Sequence, residues 1–166
     1  MSTLKVQTIQ HTNGTSGMTI DSGGRVNMPK IPCCFVQLTT SNAQDTSNPY
    51  STTDTDIRFD SIILNQGSCY SESTGRFTVP VAGVYEAKAN FLSDNSVTND
   101  SHINIRKNDT IISRGYQSVD SQYVAVVAHC LISCSVNDYF TVQLQNGAVY
   151  IDGNGLFSMF SVRLVG

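Results

Sequence analysis

The stretch Thr74-Gly75-Arg76-Phe77-Thr78-Val79-Pro80-Val81-Ala82-Gly83-Val84-Tyr85-Glu86-Ala87-Lys88-Ala89-Asn90-Phe91 decides the fold class. From Val84 onward, Tyr85, Ala87, Ala89 and Phe91 fall on one face of an extended chain and Glu86, Lys88 and Asn90 on the other, because side chains alternate along a strand. That is a strand with one dry and one wet side. A shorter strand over 75–79 precedes it. Outward from here, strands are predicted near 33–39, 57–64, 68–72, 101–107, 110–117, 122–134, 139–145 and 156–165, with no helical period. The interval from Thr39 to Asp56 has neither periodicity nor bulk and reads as a long exposed loop. Regular short strands without helices predict an all-β sandwich or jelly roll.

Composition agrees. Only 14% of the 166 residues are charged, against about 25% in an average domain. Ser, Thr, Asn and Gln make up about a third of the chain, while Glu occurs twice and Ala seven times. Long surface helices need the opposite balance, so this chain favours strands with polar faces. The net charge of -3 provides no basic field for nucleic acid. No run of about 18 apolar residues crosses a membrane as a helix. The opening Met-Ser-Thr-Leu-Lys-Val has no apolar core of a secretion signal, so folding in a reducing cytosol is expected.

The chain divides near residue 30. Residues 1–29 form a polar arm with sparse apolar positions: Leu4, Val6 and Ile9, then Met18, Ile20 and Val26 around the turn Asp21-Ser22-Gly23-Gly24, which suits a small hairpin. So small an element holds no core alone, and these six residues are expected to anchor the arm on a partner. Residues 30–166 are the predicted head. Within it, the run from Tyr123 to Ser133 is apolar on both sides. Val124, Val126, Ala128, Cys130 and Ile132 face one way, and Ala125, Val127 and Leu131 the other. The second set is expected at a contact between subunits.

Five cysteines, Cys33, Cys34, Cys69, Cys130 and Cys134, match no disulfide framework and read as free thiols. A zinc site from Cys130, Cys134 and His129 fails on strand parity, since the imidazole faces away from both sulfurs. His11, His102 and His129 adjoin no nucleophile motif, and Glu72 and Glu86 are a poor basis for a glycosidase pair. Asp94-Asn95 with Asn99-Asp100 is oxygen-rich but has no EF-hand spacing. No catalytic residue, metal or cofactor is expected.

Asn65-Gln66-Gly67-Ser68-Cys69-Tyr70 and the Thr74–Tyr85 stretch, with Ile103-Asn104-Ile105-Arg106-Lys107-Asn108, Asn137-Asp138-Tyr139-Phe140-Thr141-Val142 and Phe157-Ser158-Met159-Phe160-Ser161-Val162, resemble the globular head of complement first-component q. The resemblance covers 31–166 and implies a ten-stranded jelly roll of the tumour-necrosis-factor-like superfamily, as a homotrimer. Asp109 and Asn137 replace turn glycines of that pattern, a change that Asn and Asp tolerate in left-handed backbone. Val79 stands where the family has a cysteine. The arm, Ser2-Thr3-Leu4-Lys5-Val6-Gln7-Thr8-Ile9-Gln10 with Met18 to Val26, resembles the leader of tail-fibre and related virion proteins of bacteriophages, notably those infecting cyanobacteria.

Together these resemblances imply a non-enzymatic homotrimeric short fibre on the virion surface. Its arm would hold other virion proteins of tail, neck or capsid. Loops 41–56, 93–100 and 146–155 would face the host, with a surface glycan as candidate receptor. The alternatives are a capsid decoration or cement protein and, from another class, a secreted lectin-like recognition protein.

Overall fold

A computed structural model describes residues 6–14, 16–28, 30–39, 51, 53–94, 100–118 and 123–166. Among these there is no helix. The chain forms two compact units, Met1–Ile31 and Pro32–Gly166.

The first unit is a three-stranded antiparallel sheet in the order β1 (Thr8–Gln10), β2 (Ser16–Ile20), β3 (Val26–Asn27). The β2–β3 turn is fixed by Asp21, whose Oδ1 accepts from the backbone N–H of Gly23 (2.8 Å) and Arg25 (3.0 Å). Its Oδ2 accepts from Arg25 Nε at 2.8 Å. Bonding to Arg25, through backbone and then side chain, lowers the Asp21 pKa. Ile9 and Val26 are exposed and Val6, Met18 and Ile20 half-buried. Leu4 lies outside the described residues.

The second unit is a ten-stranded jelly-roll sandwich. Its strands are β4 (Cys33–Gln37), β5 (Ser61–Gln66), β6 (Tyr70–Ser71), β7 (Arg76–Thr78), β8 (Gly83–Leu92), β9 (Ser101–Lys107), β10 (Thr110–Gln117), β11 (Ala125–Cys134), β12 (Tyr139–Asn146) and β13 (Met159–Leu164). One sheet runs β11-β8-β13-β4-β5 and the other β10-β9-β12-β7-β6. Alternate residues from both sheets meet in an aromatic core. Phe59 stacks on Phe160 at 5.7 Å, and Phe77 meets Tyr85 edge to face at 6.0 Å, all four fully buried. The Tyr85 hydroxyl donates to Val81 O at 2.8 Å, which satisfies its one polar group.

The predicted strand over 57–64 begins only at Ser61. Ile57 and Phe59 are fully buried, but this backbone pairs outside the ladder: Ile57 N–H donates to Val142 O (2.7 Å), and Phe59 N–H to the Tyr70 hydroxyl (2.9 Å). Tyr70 in turn donates to Phe59 O. A side chain here takes the place of a neighbouring strand.

At one side the two sheets meet along a seam between β10 and β11. Ser113 Oγ donates to His129 O (2.9 Å) and accepts from His129 N–H (3.2 Å). At Gly115 a Cβ would stand 2.5 Å from the carbonyl oxygen of Val127, so only glycine lets the strands approach this closely.

Register gives the head two poles. Gln37, Leu92, Ala125 and Met159 end their strands side by side. Ser93 bridges to Val149 just beyond the end of β12, which joins the second sheet to the same pole. The connections 38–60, 93–100, 118–124 and 147–158 therefore leave from one pole. Pro32 O, which accepts from Leu164 N–H, and Gly166 O, which accepts from Val84 N–H, mark the other.

Candidate interaction face

The sheet β11-β8-β13-β4-β5 turns one face to the core and leaves the other uncovered. Alternation along β11 puts Val126 and Ala128 inside, with Ala125, Val127 and Leu131 outside. Val127 is 49% and Leu131 63% exposed, far more than such side chains carry inside a packed element. His129 shares their outer face, while Cys134 is buried and Cys130 half-buried, so the imidazole and the thiols point to opposite sides.

Pairing carries this face across the sheet. One row runs Leu131, Glu86, Arg163, Cys33, Gln66, and the next His129, Lys88, Ser161, Phe35, Leu64. The far edge, β5, exposes Ile62, Ile63 and Leu64 in succession. Of these, Leu64 pairs with Phe35 and lies on this face, whereas Ile62 pairs with buried Val36 across a bulge and turns the other way. The face is thus apolar at Val127 and Leu131, apolar again at Leu64, and charged in its middle. Glu86 accepts from Arg163 Nε and lies 3.0 Å from His129 Nε2. The Arg163 bond first, and the His129 bond second, lower the Glu86 pKa, so the carboxylate stays ionised in mild acid. Beside it a groove of about 390 Å³ is lined by Cys33, Leu64, Glu86, Lys88, Ser161 and Arg163. Cys34, one residue inward, is buried, and its thiol is pushed up to about 12, an inert core group.

All five cysteines are free thiols. His11 follows β1, His102 lies on β9 and His129 on β11, and His102 packs its ring on Tyr116 at 4.8 Å. Among the described residues no three His, Cys, Asp or Glu side chains gather as a metal site. Of the predicted loops, 41–50, 52 and 95–99 lie outside the described residues, and with them Asn95 and Asn99 of the oxygen-rich pair. Sequence reading singled out only the β11 part of this face. The Ile62-Ile63-Leu64 run is visible as three consecutive apolar residues, but only the pairing order places Leu64 on the same sheet face as Val127 and Leu131.

A model of the C1q domain matches residues 40–165. Solved structures share the fold at low identity. The globular domain of zebrafish complement 1qA protein aligns with a TM-score of 0.62 at 13% identity, over 81% of this chain and 98% of that one. Eiger TNF from S. frugiperda aligns at 0.62 and 11% over 82% and 94%. Murine APRIL at pH 5.0 aligns at 0.62 and 13% over 82% and 100%.

Proposed function

This chain belongs to the C1q domain family, and on that premise we propose that it is a homotrimeric virion protein that uses its jelly-roll head for recognition. C1q and tumour-necrosis-factor-like domains commonly form homotrimers and are generally non-enzymatic binding or structural modules. The observation that carries the proposal is the exposed apolar pair Val127 and Leu131 with Leu64 across the same sheet face, which a second and third copy would cover. Trimerisation turns that sheet inward and leaves the loop pole for the host surface.

The arm supports the virion part of the reading. Ile9 and Val26 are exposed within a unit too small for a core. With Leu4, Val6, Met18 and Ile20 they offer apolar side chains, each worth about 1.5–3 kcal/mol if fully buried in a partner. Mass spectrometry of purified particles tests this directly. A fibre would be present in a few dozen chains per particle and a decoration protein in hundreds. Absence from the particle would favour the secreted lectin-like reading.

A further inference from the structure

The loop pole carries a ladder of three aromatic rings partly open to water. Tyr123 and Tyr150 meet edge to face at 5.3 Å, and Tyr150 and Phe157 follow at 6.0 Å. Tyr123 is 44% and Phe157 43% exposed, and Tyr150 is half-buried between them. Tyr123 holds its place at φ +58, a left-handed backbone that bulky residues rarely adopt. Strain of this kind persists where the surroundings fix it and concentrates at functional sites. Core packing does not explain it, since the ring is nearly half in solvent.

The ladder is fixed from behind. Tyr150 N–H donates to Leu92 O (2.9 Å), Val124 N–H to Ser93 Oγ (2.9 Å), and Asn90 Nδ2 to Phe157 O (3.4 Å). Asp152 Oδ1 accepts from Asn154 N–H (3.2 Å) and Gly155 N–H (2.7 Å), which sets the turn leading into Phe157. The charge of this pole is mainly acidic. The described residues of the connections 38–60, 93–100, 118–124 and 147–158 include six aspartates and one cation, Arg58, and of those aspartates Asp56 meets Arg106 of β9 at 3.0 Å.

We infer that Tyr123, Tyr150 and Phe157 form a stacking platform for an uncharged hexose glycan. The inference rests on reading the loop pole as the recognition end. Aromatic faces suit a ligand that is apolar on one side and hydroxylated at its rim, as a pyranose ring is. Asp152 and Asn154, in the turn that leads into Phe157, offer groups that can bond hydroxyls. A mainly acidic field disfavours sulfated, phosphorylated or carboxylated glycans and nucleic acid, whose bases also stack on aromatic rings. Three rings are also far smaller than the roughly 800 Å² that a standard protein partner covers on each side.

The test is binding of the full chain to immobilised neutral gluco-, galacto- and manno-oligosaccharides, beside sialylated and sulfated glycans and a single-stranded oligonucleotide. The expected result is binding to at least one neutral class, weakened roughly tenfold by Phe157→Ala and by Tyr123→Gly. Glycine is at ease at positive φ, so Tyr123→Gly should melt no lower than wild type while losing the ring. Wild-type affinity in both variants, or binding confined to the anionic probes, overturns the inference. Binding to intact host cells with none to neutral glycan overturns it and leaves the recognition reading standing. Binding to neither overturns both.

Discussion

Asn108, Asp109 and Asn137 occupy positive φ at 49°, 63° and 70°, where the resembling family has glycine at two of the three, and the side chains of Asn108 and Asp109 hold the turn they form. Asn108 Nδ2 donates to Asp138 Oδ1 at 2.7 Å, while its Oδ1 accepts from Tyr139 N–H at 3.0 Å. The Tyr139 hydroxyl donates to Asp109 Oδ2 at 2.6 Å, and the Arg76 guanidinium lies 4.1 Å over the Tyr139 ring. Asp138 is the hub. Lys107 Nζ at 2.8 Å, then Asn108 and the Ser135 backbone N–H, hold its carboxyl at about 2, against an ordinary value of 3.8. A carboxyl lowered on folding stabilises the protein above its unfolded value, and that contribution is lost as pH falls through the folded one. Asp138→Asn should therefore be less stable than wild type at neutral pH. The difference should shrink between about pH 4 and pH 2 and vanish below. Urea unfolding of both proteins across that window checks this, and a constant difference would place the effect elsewhere than the Lys107 bridge.

The seam between β10 and β11 joins two sheets that would otherwise each end in an open edge. Gly115→Ala should force the strands apart, because the added carbon meets the Val127 backbone rather than a movable side chain, at a cost of about 1–3 kcal/mol. Ser113→Ala removes two bonds to His129 and should cost about 1 kcal/mol. Unfolding measured at one fixed protein concentration separates the two, and a Gly115→Ala protein as stable as wild type would mean that the seam opens freely. The strands themselves were legible from alternation, as in Val84–Phe91, and the left-handed turns from Asn and Asp. What alternation cannot give is pairing order. The seam, the Tyr70 hydroxyl standing in for a strand beside Phe59, and the third strand of the arm all depend on neighbours that alternation does not reveal. The Glu86–Arg163 contact was hidden for the same reason: its partners are 77 residues apart.

At the scale of the whole molecule, the outer sheet face makes the strongest demand. Val127→Asp would place an unpaired charge where the proposed trimer is dry. It should yield monomers or aggregate in sedimentation, whereas the wild type should sediment as three chains. A wild-type monomer would leave the exposed margin without its occupant. The two poles have a mechanical meaning as well. The head's first strand, β4, starts beside Pro32 on one pole, and the loops depart from the other. In the proposed role, tension between a tether at Pro32 and a receptor held by the loops would run lengthwise along β4. Antiparallel hydrogen bonds stand perpendicular to their strands, so this pull shears the β4–β13 and β4–β5 ladders with all rungs sharing the force, instead of peeling them apart one by one. On the proposed reading, a head held in this way resists a lengthwise pull as a block instead of one rung at a time.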